Sequence, residues 1–175
     1  MEPWGNWYHC VGNTYGTWLP GDPRGWRSRE HRYHCDGDYK RPPPPGAYDG
    51  MHEQARRRMK RDAIWLDPEA MRIACDAFVE KLTEKKIEVS AVAITSCGYH
   101  VVGRFEDRKP RLWIGLAKKN SAFALVEAGL ARRGGVWAAR GLCKPIADEG
   151  HWRNATQYVL DHLEQGAAVW SLMGQ

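Results

Sequence analysis

Two stretches in the middle of the chain alternate between apolar and polar residues in the way that β-strands do. Residues 89–95 and 99–105 are rich in β-branched and aromatic side chains, and Cys97-Gly98 separates them. This pattern predicts two adjacent strands joined near Cys97-Gly98. His100 is the one histidine in this apolar stretch, so its side chain is expected to project from one face of a sheet.

Apolar residues at helical spacing predict a helix on each side of these strands. Asp67 is a suitable N-cap and Pro68 a suitable first residue for a helix that runs to about Lys86. A second helix is predicted over 111–129, with Phe123 among its core residues.

A third amphipathic helix is predicted from Asp148 to about Glu164. Tyr158 and His162 are four residues apart, so they lie one turn apart on the same face of this helix. Together with His100, they form a phenol and two imidazoles that could converge on one metal-assisted site.

The remaining pattern is weaker. Trp7 to Thr14 predicts a first strand, and short strands are predicted near Val136 and over Lys144 to Ile146. Residues 27–50 are polar and include four consecutive prolines, which predicts a long loop or insertion. The expected architecture is a single α+β domain over 1–175, with one antiparallel sheet covered by helices mainly on one face.

Composition narrows the possible partners. The 26 Lys and Arg residues exceed the 21 acidic ones, giving a net charge of +5 that favours phosphate-rich partners. The five cysteines form no CxxC pair of the kind seen in zinc sites, so they are expected to be reduced thiols. Neither a signal-peptide pattern nor a membrane-length apolar run is present, so we expect a cytoplasmic protein with no membrane partner.

Several basic and aromatic residues are candidates for DNA contact. Basic runs can bind phosphates, and tryptophans in glycine- and proline-rich loops can stack on unpaired bases. The alternative for the basic runs is a solvated helix face, and the alternative for the tryptophans is core packing. The candidates are Arg56, Arg57, Arg58, Lys118, Lys119, Trp18 and Trp26.

The most recognisable motifs lie in the two central strands and in four other segments: Tyr15–Trp26, Gln54–Met59, Trp113–Lys119 and Tyr158–His162. Together they resemble the single-tyrosine HUH-type transposases, and especially the branch called REP-associated tyrosine transposases. The resemblance runs over most of the chain and implies a ferredoxin-like fold.

The resemblance also implies a chemistry. In that family a strand carries the motif His-hydrophobic-His, which holds a divalent cation, and a helix carries a nucleophilic tyrosine with a further ligand one turn on. Transferred to this chain, Tyr158 is the nucleophile, and His100 and His162 are ligands of Mg²⁺ or Mn²⁺. The first family histidine falls on Gly98, which has no side-chain ligand.

Two functions therefore stand after the sequence alone. The first is a transposase that nicks and rejoins single-stranded or hairpin DNA through a 5′-phosphotyrosine intermediate, as a monomer or a homodimer. The second is a catalytically impaired relative that only binds DNA. A ferredoxin-like RNA-binding module is a third, weaker reading.

Each site residue also has a structural alternative. His100 and Tyr158 could be packed core residues, and His162 could be a favourable cation at a helix C-terminus. Gly98 could be a turn glycine that is needed for a positive φ.

Overall fold

A computed structural model describes residues 4–26 and 42–172 of the chain. Within these residues, chain contacts divide the protein into two compact units, one of residues 4–14 and 65–172 and one of residues 15–26 and 42–64. Most of the loop predicted over 27–50 lies outside the described residues. The single-domain expectation stays a prediction.

The larger unit is built around an antiparallel sheet. Along the whole chain the described elements are β1 (Trp7–Thr14), α1 (Asp49–Arg57), α2 (Pro68–Glu84), β2 (Glu88–Thr95), β3 (Gly98–Arg104), α3 (Pro110–Glu127), β4 (Trp137–Pro145), α4 (Glu149–Asp161) and β5 (Ala168–Ser171). The five strands lie in the order β4-β1-β3-β2-β5, and every neighbouring pair is antiparallel.

The strand order is that of a ferredoxin-like split β-α-β arrangement. Strand β3 lies between β1 and β2, and β1 lies between β3 and β4, so helices α2 and α3 each connect strands that are not neighbours. Strand β5 adds a fifth strand beside β2. The predicted α+β class with one antiparallel sheet is confirmed.

The two longest helices pack on one face of the sheet and α4 packs on the other. On the first face, Phe78 of α2 contacts Tyr99 and Trp137, with ring centroids 5.3 and 5.5 Å apart. On the second face, Ala155 and Val159 of α4 join a buried apolar cluster with strand residues that include Trp7, Ala91, Ala93 and Val102. The sheet thus has a core on each side, and the alternation along β3 sends Tyr99 to one core and His100 to the face that carries α4.

Local signals in the sequence set several boundaries. The carboxylate of Asp67 accepts a hydrogen bond from the Ala70 backbone N–H at 2.8 Å, as predicted for the N-cap of α2. Asp148 caps α4 in the same way, accepting from the His151 N–H at 2.8 Å.

Other local predictions need correction. The two short strands expected near Val136 and Lys144 are one continuous strand, β4. Phe123 was expected in the core but is 64% exposed, because Ile114, Ala117 and Leu125 provide the buried face of α3 instead. Helix α4 ends at Asp161, and a short 3-10 turn (His162–Gln165) follows it. Strand β5 was not predicted.

The smaller unit contains α1 and a turn held by an ion pair. The guanidinium of Arg24 contacts the buried carboxylate of Asp22 at 2.7 Å, and this pairing holds the pKa of Asp22 below its usual value although burial acts in the opposite direction. Among the described residues of both units, no helix has the length and apolar character required to cross a membrane.

Candidate active site

Two neighbouring strands bring two histidines together on the α4 face of the sheet. His9 of β1 lies opposite Val102 of β3, and His100 is two residues from Val102, so both imidazoles project from the same face. The His100 Nδ1 and His9 Nε2 atoms are 3.4 Å apart, within hydrogen-bonding distance. His9 was not among the residues predicted for the site.

Helix α4 adds a tyrosine and a third histidine to this pair. The Tyr158 ring centroid lies 4.8 Å from that of His162, 5.4 Å from that of His100 and 5.9 Å from that of His9. The His100 and His162 centroids are 4.3 Å apart. The structure therefore brings together Tyr158, His100 and His162, the three residues that the sequence selected, and adds His9 to them.

The exposure of these side chains differs. Tyr158 is 50% exposed, whereas His162 is only 6% exposed, and the two strand histidines are partly buried. The Tyr158 ring stands nearly edge-on to all three imidazoles, with interplanar angles of 69–83°. The phenol thus remains accessible at the surface while its inner edge packs against the histidines.

The strand histidines are neutral at pH 7. Burial lowers the pKa of His9 to about 4, helped by the nearby positive charges of His151, His162 and Lys144 when protonated. Burial also lowers the pKa of His100 to about 3, with His162 and His9 contributing. Neutral imidazoles have a free nitrogen lone pair, which is what metal binding or proton acceptance requires.

His162 has a defined tautomer. Its Nδ1 lies 2.8 Å from the backbone carbonyl oxygen of Tyr158, and since a carbonyl only accepts, Nδ1 carries the proton. In the neutral ring the Nε2 lone pair is then available. The same bond fixes the ring one turn after the tyrosine, at the C-cap residue that directly follows α4.

These residues can contribute nitrogen ligands to a divalent cation, but they do not form a complete ligand set. In the described ranges 4–26 and 42–172, no three His, Cys, Asp or Glu side chains are grouped so that they could hold a metal ion. A cation bound beside His100 would need oxygen ligands from water or from a phosphate substrate, as Mg²⁺ sites in phosphoryl transfer commonly have.

The position at which the sequence resemblance would place a histidine is one of close backbone packing. Gly98 is the first residue of β3 and has no positive φ, so its interpretation as a turn glycine of that type is wrong. A β-carbon at Gly98 would lie 2.5 Å from the backbone oxygen of Gly12 on β1. The neighbouring strand excludes a side chain there.

The candidate DNA contacts in the smaller unit differ in exposure. Arg56, Arg57 and Arg58 at the end of α1 are exposed, and Arg57 also pairs with Glu53 at 2.5 Å. Trp18 is 45% exposed.

The other predicted aromatic contact in this unit is less accessible. Trp26 is only 6% exposed and packs edge-on against Tyr48, with centroids 5.3 Å apart. A base could not reach the Trp26 ring in this conformation.

The two lysines predicted for DNA contact lie in the larger unit and have different environments. The Lys118 ammonium donates to the Ala138 backbone oxygen at 2.7 Å, which directs it toward β4. Burial lowers the pKa of Lys118. Lys119 is exposed.

Comparison with known proteins gives one structural similarity. No protein-family model and no curated protein sequence matches the chain. A solved structure of a REP-associated tyrosine transposase bound to a REP hairpin matches with a TM-score of 0.46 and 12% sequence identity, covering 93% of this chain and 69% of that one.

Proposed function

We propose that this protein nicks and rejoins single-stranded or hairpin DNA, with Tyr158 as the nucleophile. The observation that carries the proposal is a half-exposed phenol whose ring is surrounded by three imidazoles, two of them kept neutral by burial. A tyrosine that served only the core would be buried. This one is open to a large substrate on one side and faces potential bases and ligands on the other.

The reaction is a transesterification. The Tyr158 oxygen forms a bond to the scissile phosphorus while the bond from phosphorus to the 3′ oxygen breaks. The phenol proton passes to a neighbouring neutral imidazole or to water, and the departing 3′ oxygen takes up a proton. The products are a 5′-phosphotyrosine and a free 3′-hydroxyl, and attack by such a hydroxyl reverses the step and joins strands.

A tyrosine of ordinary pKa near ~10 is a weak nucleophile at neutral pH, so the site must assist it. A divalent cation, Mg²⁺ or Mn²⁺, would polarise the non-bridging phosphate oxygens. His100 and His162 are its proposed protein ligands, because both border the phenol and each can present an unprotonated nitrogen. Phosphate oxygens and water would complete the coordination.

DNA affinity in this proposal is mainly electrostatic. Exposed Arg56, Arg57 and Arg58 contact phosphates without reading sequence, and Lys119 adds a further exposed charge. Trp18 offers an exposed ring for stacking on an unpaired base. A preference for single-stranded or hairpin DNA over blunt duplex follows from the need to reach unpaired bases.

The decisive experiment is trapping of the covalent intermediate. Labelled single-stranded hairpins are incubated with Mn²⁺ or Mg²⁺, and a protein-DNA adduct is sought on a denaturing gel. Wild type should form the adduct and Tyr158→Phe should not. Tyr8→Phe, which alters a partly buried tyrosine of β1, is the control for loss of a phenol elsewhere and should retain the adduct.

A second candidate function is DNA binding without catalysis. The lack of a ligand at Gly98 and the incomplete ligand set favour it. Wild type that binds hairpin DNA with salt-dependent affinity but forms no adduct with either cation would select this function over the active transposase.

A further inference from the structure

His9 lies on β1, outside the motif that the sequence suggested, yet its ring belongs to the same cluster as Tyr158. Its centroid is 5.6 Å from that of His100 and 5.9 Å from that of Tyr158. We propose that His9 and His100 form a pair of cation ligands, in which His9 takes the place of the imidazole missing at position 98 and water or phosphate oxygens complete the coordination. The proposal deepens the function proposed above and rests on it for the role of the cation.

The distance between the ring nitrogens fits a shared metal. Two imidazole nitrogens that bind one cation, each at about 2.1 Å, are about 3.4 Å apart in tetrahedral geometry and about 3.0 Å apart as neighbouring ligands in octahedral geometry. His9 Nε2 and His100 Nδ1 are 3.4 Å apart. The two strands therefore hold these nitrogens close to the separation of two ligands of one cation.

The hydrogen-bonding proton between the His9 and His100 rings can move to the other nitrogen of the ring that carries it, and the ring stays neutral. In the free protein one ring must donate its N–H to the other, since two bare nitrogens would repel each other. Cation binding at both nitrogens requires the donor ring to carry its proton on the other ring nitrogen. This is a change of tautomer, and no net proton is released.

The backbone explains why the ligand comes from β1. At position 98 a side chain would meet the Gly12 backbone oxygen at 2.5 Å, so β1 approaches β3 too closely for a histidine there. The same close pairing brings His9 of β1 beside His100. Loss of a ligand on one strand is thus matched by a ligand from its neighbour.

Cobalt binding tests the assignment without DNA or catalysis. Co²⁺ alone is titrated into the full-length protein, and its visible absorption reports nitrogen coordination. His31, His34 and Cys35 lie outside the described residues and can themselves bind Co²⁺. All measurements are therefore made in a His31→Ala/His34→Ala/Cys35→Ser background.

Variants in this background test whether His9 binds the cation or only packs against its neighbours. His9→Phe keeps an aromatic ring beside His100 but removes the nitrogens, and His9→Ala checks the result if the larger ring disturbs the fold. His100→Ala is the positive control. His52→Ala removes a histidine of α1 in the smaller unit and is the matched control.

We expect His9→Phe and His100→Ala each to weaken Co²⁺ binding at least about tenfold. Loss of a group that only hydrogen-bonds to a metal ligand already lowers metal affinity about 10–100-fold, and a lost ligand should lower it at least as much. His52→Ala should leave the Co²⁺ dissociation constant unchanged. Metal-free melting temperatures confirm that each variant is folded.

The possible failures are distinct. If His9→Phe and His9→Ala bind Co²⁺ as wild type does while His100→Ala binds more weakly, the His9 assignment is overturned. Absence of Co²⁺ binding by the background protein overturns it as well. Binding that depends on His9, together with no adduct on DNA, would leave the metal site standing and reject the nicking activity.

Discussion

Gly98 shows how one residue can limit a substitution that the family pattern suggests. From the sequence resemblance alone, placing a histidine there would be expected to strengthen the proposed metal site. In the fold a β-carbon at Gly98 meets the Gly12 oxygen at 2.5 Å, so strand β1 or β3 must shift to admit it. Such a shift would also disturb the pairing that positions His9 and His100.

We therefore predict that Gly98→Ala lowers the free energy of unfolding by roughly 1–3 kcal/mol, the usual cost of overpacking. Gly98→His should lower the free energy of unfolding at least as much and should not increase metal affinity.

Gly115→Ala is the matched control, since no atom lies within 4 Å of a β-carbon at this helical position. It should be neutral or stabilising by roughly 0.5–1 kcal/mol, as alanine is a better helix former. Urea unfolding measures all three, and equal stability of Gly98→Ala and wild type would contradict the close packing.

The strand histidines predict a specific pH dependence of stability. Their folded pKa values are about 4 for His9 and about 3 for His100, below the unfolded value of about 6.5. Between these limits the unfolded chain binds more protons than the folded one, so stability falls as pH drops from about 6.5 toward 4. Above about pH 6.5 this contribution is fully present.

A variant with both imidazoles replaced, His9→Gln/His100→Gln, isolates this contribution. Urea unfolding in the presence of a chelator should show a shallower loss of stability in the variant over this pH window. Carboxylates titrate in both proteins and cancel in the comparison. Parallel stability curves for the two proteins would show that the strand histidines are not kept neutral by the fold.

At the scale of single residues, the sequence indicated three of the four members of the cluster. Tyr158 and His162 share a helical spacing, and His100 stands out in an apolar strand, so local pattern sufficed for them. The alternation along β1 could have placed His9 on the same face as Trp7. It could not place β1 beside β3, because strand neighbours are set by long-range packing.

A buried polar contact joins α4 to the sheet, beside the apolar cluster that packs between them. The hydroxyls of Ser90 on β2 and Thr156 on α4 are 3.0 Å apart, and both residues are nearly inaccessible to solvent. Thr156 lies two residues before Tyr158, so this contact helps to fix where the phenol meets the strand histidines.

We predict that Thr156→Val, which keeps the shape but removes the hydroxyl, destabilises the protein by roughly 1–3 kcal/mol because Ser90 is left buried without this partner. The double variant Ser90→Ala/Thr156→Val should regain most of that loss. Thermal or urea unfolding of the wild type, the two single variants and the double variant gives the coupling energy. Additive losses would show that the two hydroxyls do not interact.

At the scale of elements, prediction succeeded where local chemistry is decisive. Asp67 and Pro68 marked the start of α2, and the alternation in β1, β2 and β3 marked those strands. It failed for β5, whose four residues lie at the sheet edge and are only partly buried. It also failed for Phe123, since an apolar residue in a helix does not by itself reveal which face packs.

At the scale of the whole molecule, charge governs the predicted DNA affinity. For single-stranded DNA, each phosphate contact contributes about −0.7 to the slope of log K against log salt. Replacing Arg56, Arg57 and Arg58 with glutamine should therefore reduce the magnitude of this slope by about 2. Fluorescence anisotropy with a labelled hairpin at several salt concentrations measures it.

A control with the same change in net charge separates local contact from overall charge. It carries glutamine at three basic residues that each pair with a neighbouring carboxylate: Arg72, Lys85 and Arg153. This variant should change the slope much less. Equal effects of the two triple variants would mean that net charge, and not the end of α1, determines DNA affinity.

The four rings of the cluster come from positions 9, 100, 158 and 162, so the site joins segments that are made at very different times during translation. A nascent chain cannot assemble the site until residue 162 has emerged from the ribosome and α4 has docked on the sheet. A frameshift or premature stop codon before residue 162 would give a product that lacks His162. If it occurred before residue 158, the product would also lack the proposed nucleophile, Tyr158. Any nicking activity would thus be confined to chains translated beyond this point.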